Sequence, residues 1–535
     1  MTSRPVIIGA GVNGLATAFY LAKAGLRPLV LERSERIGGA ASTRELAPGV
    51  RVPDLTHAVG PLRQDVADAM GLASRGVQWL RPAVDSFTPG ADGRALVLPR
   101  DPAAASAAIG EFSARDAARY PEFLRELGSI GAVVSGLLDE IPLSIDSPTT
   151  GELWRLLQIG RRFRRLGRQQ VFRALRWGPM PVADLLTDVF DTELLRATFC
   201  TRGVFASALG PRSAGTAAAL ILEAARQPSS PFAPVFVQGG PGQLASAMAA
   251  VATAAGAEIR CGAAVARIDV DDSGVCGVTL SNGDRIATTT VVSNADPQRT
   301  LLGLVDPVRL EPDVILRIRN YRARGTLAKV NVVMNGLPSF AGLKRLPAGL
   351  TPEAALSGRI LIAPTIDDIE RAYDASKYGQ WSAKPWLECV IPTLTDSTLA
   401  PSGTHVLSIY AQYAPYQLRE GSWAEARGAF QQAVLDRVSE FAPDLPSRIV
   451  LTETITPADL EATHSFTGGH IHHGEMALDQ LFIMRPTLGW AQHTTPVAGL
   501  FLCGAGTHPG GGVTGANGAH AAKAVIAHNR KGSRA

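Results

Sequence analysis

Several things are scarce in this chain, and each absence narrows what it can be. Its 535 residues hold only five cysteines: Cys200, Cys261, Cys276, Cys389 and Cys503. The number is odd, and no two are spaced as C-x-x-C or as a C-x-x-x-x-C redox pair. This argues against a disulfide framework and against a zinc site, and it fits a reducing compartment. No stretch of about eighteen residues is uninterruptedly apolar, so no spanning helix is expected. "PVIIGAG" begins a strand where a signal peptide would otherwise lie. An excess of one charge is also missing. Lys+Arg number 52 and Asp+Glu 48, a net +4, too little to imply nucleic acid. The expectation is a cytoplasmic protein, at most peripheral to a membrane, with no nucleic-acid partner. With 46% hydrophobic and 19% charged residues, it has core enough for two or three domains or one interleaved pair.

What is present begins at residue 4. "RPVIIGAGVNGLATAFYLAKAGLRPLVLERSERIGG" reads as an apolar strand, a G-x-G-x-x-G turn, a helix and a second strand that ends at Glu32. Gly9 permits the tight turn, Gly11 admits a pyrophosphate, and Gly14 lets helix and strand pack closely. The helix N-terminus offers free N–H groups to phosphates. Glu32 can accept from a ribose hydroxyl, and its distance from the glycines completes a dinucleotide fingerprint. The competing reading is a glycine turn of purely structural use. Gly38 and Gly39 make a second close approach a few residues on.

Residues 101–234 read as mostly helical. A strand, a glycine-rich turn, a helix and another strand return at 233–270, followed by a hairpin with an Asn282-Gly283 turn and a buried strand at Val291–Ser293. Between 299 and 485 the pattern is mixed. "TLAKVNVVMNGLP", "RILIAPTI", "WLECVIPT" and "HVLSIYAQYAP" read as strands, and "SWAEARGAFQQAVLDRVSEF" as an amphipathic helix. The chain closes with "GLFLCGAGTHPGGGVTGANGAHAAKAVIAH", again strand, glycine turn and helix.

Glu32-Arg33 followed by Gly38-Gly39 resembles the two-dinucleotide-binding-domain flavoproteins, including amine oxidases and phytoene desaturases. "GLFLCGAGTHPGGGVTGANG" resembles the C-terminal signature of phytoene dehydrogenase-related proteins. "GGHIHHGEMALDQLFIMRP" is similar to the branch of pyridine nucleotide-disulfide oxidoreductase domain-containing protein 2. The likeness covers essentially the whole chain, although the cysteine pair in that name is missing here. It implies FAD as cofactor, with Glu32 on the adenosine ribose, Arg33 near the adenine and the backbone of Val265 at the adenine. It also implies an α/β fold, with a discontinuous Rossmann-like FAD-binding domain (1–100, 235–300, 486–535) interleaved with a mixed sheet-plus-helix substrate domain (101–234, 301–485). In that frame Gly504 lets the cofactor pass. Gly510, Gly511 and Gly512 open the last helix, whose N-terminus near Val513 and Thr514 stabilises negative charge on the reduced ring.

No residue declares itself a catalytic base, and flavin chemistry needs little of one. His508 in the glycine turn, His57 in "DLTHAVG" and Lys329 in "LAKVNVV" are the candidates. His470, His472, His473, Glu475 and Asp479 form the densest polar cluster. Its spacing matches no metal motif, so no metal is expected; the readings are a structural network and a loop facing substrate or flavin. "WRLLQIGRRFRRLGRQQVFRALRW", Trp154 to Trp177, holds eight arginines and no acid. It reads as a basic amphipathic helix for an anionic membrane or a partner, the alternative being a solvated cap. Oligomerisation is compatible with these features and set by none of them. The expected activity is that of an FAD-dependent oxidoreductase on a lipophilic small molecule. The alternatives are a carotenoid desaturase or isomerase, and a flavin-binding protein acting through partners.

Overall fold

The apolar run Val6–Ile8 is the middle strand of a five-stranded sheet in which every pairing is parallel. Across the sheet the order is 500–502, 291–293, 6–8, 29–31, 258–260. Alternate side chains leave a strand on opposite faces, so this sheet has two dry sides. Ile7, Val30, Val292 and Phe501 pack under the helices Val12–Lys23, Pro241–Ala254 and Ala516–Gly532. Val6, Ile8, Leu29, Leu31, Val291 and Leu500 pack instead against the antiparallel strands Val265–Asp271 and Gly274–Leu280. The first and last helices touch closely. The Thr17 hydroxyl donates to the carbonyl of Gly518 at 3.1 Å, and a Cβ on Gly518 would lie 2.1 Å from the Asn13 carbonyl oxygen. The computed structural model describes residues 4–60, 62–144, 148, 150–227 and 232–532.

A second sheet has seven strands, in the order 449–455, 327–334, 405–412, 387–390, 359–362, 84–89, 95–99. Leu327–Met334 is buried at every position, as suits an inner strand. The Trp423–Ser439 helix covers one face with Phe430, Val434 and Val438, and it starts in a capping box made by Ser422 and Glu425. Two strands of this sheet, Val84–Pro89 and Ala95–Pro99, come from inside residues 1–100. A boundary at residue 100 therefore divides chain that one sheet holds together. Ile449–Ile455, which the sequence did not announce, is the opposite edge strand; Val450 on it is exposed, and no full apolar alternation marks it.

Between 102 and 226 the described residues are mostly helical, as the pattern predicts, and pack around Phe123, Phe190 and Phe199 in a core shared with Leu96, Leu98 and Trp386. Trp154–Trp177 is not one helix. It divides into Thr150–Arg165 and Arg168–Trp177 at Gly167, whose φ of +79° ends the first segment. Trp177 does not belong to an exposed amphipathic face, because it is buried with its ring 6.0 Å from that of Phe123.

Candidate functional site

One cavity of about 710 Å³ opens between the two sheets, within the size expected of a ligand site. Of the residues that the sequence singles out for a dinucleotide, Gly9, Gly11, Glu32, Arg33, Gly38, Gly39, Val265, Gly512 and Val513 line it. Gly14, Gly504 and Gly511 stand behind the wall and act through packing. A Cβ on Gly14 would lie 2.1 Å from the carbonyl oxygen of Gly9, so helix and turn can meet only if residue 14 is glycine. A Cβ on Gly511 would lie 2.4 Å from the ring of His472.

The Val12–Lys23 helix starts at Gly11 with no side-chain cap and no acidic residue in its first turn, and Val12 and Asn13 line the cavity. The orphan N–H groups of that turn are therefore available to an anion. Glu32 sits just beyond its strand, half-buried. Its Oε2 accepts from the N–H of Ala10 at 2.7 Å and its Oε1 from the N–H of Ser34 at 2.9 Å. These bonds fix the carboxylate at the wall and leave it lone pairs for ligand hydroxyls. Arg33 is held by a hydrogen bond from its guanidinium to the carbonyl of Thr463. A free helix end, a close-packed glycine turn and a fixed carboxylate form a donor set that fits a dinucleotide.

The far wall is built by the second sheet and the helical block. Glu388 is buried there among Arg202, whose Nη2 donates to Oε2, Arg359, whose Nε donates to Oε1 at 3.3 Å, and His57, whose Nε2 also lies 3.3 Å from Oε1. Burial alone would raise the Glu388 carboxyl, but the two guanidiniums outweigh it and hold it below the usual range. Burial pushes His57 down to about 3, only partly opposed by its bond to Glu388. The ring is thus neutral, donating from Nε2 and accepting at Nδ1, 3.3 Å from Ser408 Oγ. Lys329 Nζ donates to the same hydroxyl at 2.8 Å and to the Leu55 carbonyl at 2.7 Å. Burial brings Lys329 down to about 7. Lys329, Ser408, His57 and Glu388 are therefore consecutive links of one hydrogen-bonded chain. Tyr410 covers part of it, with its ring centroid 3.8 Å from that of His57, and Tyr410 and His57 reach the cavity wall.

His508 does not reach that wall. It is buried against Phe482 and stacks on His520 at 6.0 Å, and it is absent from the residues that line the cavity. The histidine cluster splits in a similar way. His472 and His473 face the cavity, while Glu475 accepts from the Ser207 hydroxyl and the Ala208 N–H at 2.9 and 2.8 Å, and Asp479 takes a two-pronged bond from Arg322. Among the described residues no three His, Cys, Asp or Glu side chains are placed to hold a metal ion.

Sequence reasoning missed Arg202, Arg359 and Glu388, because their contacts join residues 186 and 29 apart and no local pattern announces them. It also missed Arg485. This fully buried side chain donates to the carbonyls of His472, Gly474, Glu475, Gln480 and Ala505 and so ties the histidine loop to the C-terminal glycine turn.

Fold and cavity together define a dinucleotide-dependent oxidoreductase built from a Rossmann-like part and a mixed-sheet part. Residues 7–70 match the model of the NAD(P)-binding Rossmann-like domain. The chain belongs to the family of pyridine nucleotide-disulfide oxidoreductase domain-containing protein 2. It is 34% identical to that protein of Rattus norvegicus over 97% of this chain and 93% of the other. It is similar, at 26% identity over 97% and 94% of the two chains, to a limonene dehydrogenase component of Castellaniella defragrans. Cyclohexylamine oxidase from Brevibacterium oxydans shares the fold, with a TM-score of 0.56 at 17% identity over 99% of each chain. The chain is an enzyme of the oxidoreductase class with a Rossmann-like dinucleotide-binding part.

Proposed function

We propose that the chain binds FAD without a covalent bond and oxidises a lipophilic small molecule. The observation that carries this reading is a single cavity whose wall holds both the glycine turn with Glu32 and an apolar stretch made by Phe205, Leu222, Tyr410, Ile471 and Met476. When bound, FAD supplies the acceptor for a hydride at N5. The chain's own part is to seat the pyrophosphate at the Val12–Lys23 helix, hold the ribose at Glu32 and shield the reacting region from water with the apolar wall. Limonene, named for one relative, is a hydrocarbon, which favours an apolar substrate. Cys503, the one cysteine near the C-terminal turn, is buried and its thiol pushed up to about 12, which makes it a poor site for covalent attachment. The test is the purified protein's spectrum, acid precipitation and turnover of apolar substrates with an artificial electron acceptor. Expected are flavin bands, FAD released into the acid supernatant, and reduction of the flavin by substrate. A protein that does not take up FAD overturns the reading, and flavin retained in the pellet overturns the non-covalent part.

A second observation favours delivery from a membrane surface. Leu153, Trp154, Leu156, Leu157, Phe172 and Leu175 are all exposed on the Thr150–Arg165 and Arg168–Trp177 helices. The same helices carry exposed Arg161, Arg164, Arg165 and Arg168, and the guanidiniums of Arg161 and Arg168 sit over the rings of Trp154 and Phe172. Such a face suits anionic lipid, each arginine contributing on the order of 1 kcal/mol. No helix among the described residues is long and apolar enough to cross a membrane. Binding to anionic vesicles should weaken with salt and fall in a variant with these four arginines changed to Gln, with FAD content unchanged. Equal binding to neutral vesicles overturns this route.

A further inference from the structure

Arg226 closes the Thr216–Arg226 helix, on which Ala219, Leu222, Glu223 and Arg226 line the cavity at spacings of three and four residues. The stripe runs from small and apolar to charged. Only 12% of the Arg226 side chain is exposed. Its Nη1 lies 3.9 Å from Glu223 Oε2, a long ion pair, and its Nη2 is buried with no hydrogen-bond partner among the described residues. A buried guanidinium nitrogen without an acceptor carries a desolvation cost that a ligand oxygen can relieve.

The charges around it are one-sided. Arg202 and Arg359 already share Glu388. Glu223, the nearest carboxylate to Arg226, is also within electrostatic reach of Arg359. Arg485, which is close enough to disfavour charge on Arg226, is bonded to carbonyls, and the carboxylate within its electrostatic reach, Glu475, is bonded to Ser207 and Ala208. At this wall three guanidiniums, Arg202, Arg226 and Arg359, face two carboxylates, Glu223 and Glu388.

We propose that Arg226 is an anion-binding subsite of the cavity and that the substrate is amphiphilic. Its apolar body lies along Ala219 and Leu222, and a carboxylate lies at Arg226. The planar guanidinium suits a carboxylate, and a charge-assisted bond formed away from water discriminates strongly against a neutral head group. This inference rests on the reading of the chain as an oxidoreductase for lipophilic molecules and specifies the class.

The test titrates FAD-loaded protein with decanoate and with 1-decanol by calorimetry, in the parent and in Arg226→Met and Arg226→Gln. Decanoate is expected to bind at least tenfold more tightly than decanol. Both variants should lose that advantage and bind decanol as the parent does, which also reports that they are folded. Decanol binding as tightly as decanoate in the parent overturns the subsite and leaves the lipophilic reading standing. FAD-loaded protein that binds neither compound overturns both. Variants that keep the preference for decanoate while the flavin reduction potential shifts also overturn the proposal, by placing Arg226 at the cofactor.

Discussion

In the N-terminal glycine turn three residues separate the strand ending at Ile8 from the helix starting at Val12; in the C-terminal turn thirteen separate Leu502 from Ala516. Both join a buried parallel strand to a helix on the same face of the same sheet. In the first, the critical glycine is crowded by its own turn, Gly14 against the carbonyl of Gly9. In the second, a Cβ on Gly511 would meet His472, and one on Gly504 would lie 2.8 Å from the Asn294 carbonyl oxygen and 3.0 Å from the His473 ring. Within the turn, buried Asn517 donates to the Thr507 carbonyl at 2.9 Å, and Arg485 anchors Ala505 from outside. The first turn is closed by its own backbone at Gly14, with one distant neighbour, Asn294, whose Nδ2 would lie 2.8 Å from a Cβ on Gly11. The second takes its shape from a loop that lies elsewhere in the sequence.

Three substitutions or conditions sharpen that contrast. The largest effect should follow Gly14→Val, because backbone meets the new side chain and cannot move aside. The cost should exceed the roughly 1–3 kcal/mol usual for overpacking. Flavin content and the urea midpoint should both collapse, and no second substitution should restore them. Near-normal flavin content in this variant would remove the local account of the first turn.

Gly511→Ala should be milder, about 1–3 kcal/mol, because the obstacle is a side chain. Adding His472→Gly, which removes both the ring and the Cβ that the new side chain meets, should return much of the loss, and a double-mutant cycle measures that coupling. Strict additivity would show that the second turn does not lean on the histidine loop.

The last contrast is an acid dependence: the second turn holds His508 and His493 bonds the Leu502 carbonyl at its start, whereas the first turn holds no histidine. Burial lowers His493 to about 4 and His508 to about 3 from the ordinary 6.5. Between those values the unfolded chain binds protons that the folded chain does not. Their contribution to stability is therefore full above pH 6.5 and is lost as pH falls toward 3–4. Each group gives a slope of at most about 1.4 kcal/mol per pH unit. His508→Gln should flatten the loss between about pH 6.5 and 4.5, as read by denaturation midpoints; an unchanged slope would exonerate His508.

Much of the dinucleotide wall was legible beforehand. The run Val6–Ile8, the spacing Gly9, Gly11, Gly14 and the carboxylate at Glu32 are contiguous, and steric and hydrogen-bonding rules act over that range. The helix at Trp423–Ser439 and the strand around Lys329 were legible for the same reason, through their periodicity. The strands at Val84–Pro99 gave no sign of which sheet they would join, because pairing partners lie hundreds of residues away. Trp177 looked like part of an exposed basic face, because composition does not tell which side of a helix finds a core.

By itself the sequence determined the two strand–glycine–helix units, the absence of cysteine pairs and the class of ligand, since each depends on neighbours in the chain. Only the tertiary structure decided that Glu388 would gather Arg202, Arg359 and His57, that Lys329 would be buried in a hydrogen-bonded chain, and that His508 would turn away from the cavity. Buried charges must find partners wherever the fold supplies them. In this chain those partners come from distant segments, so the pairing exists only once both sheets and the helical block have closed around the cavity.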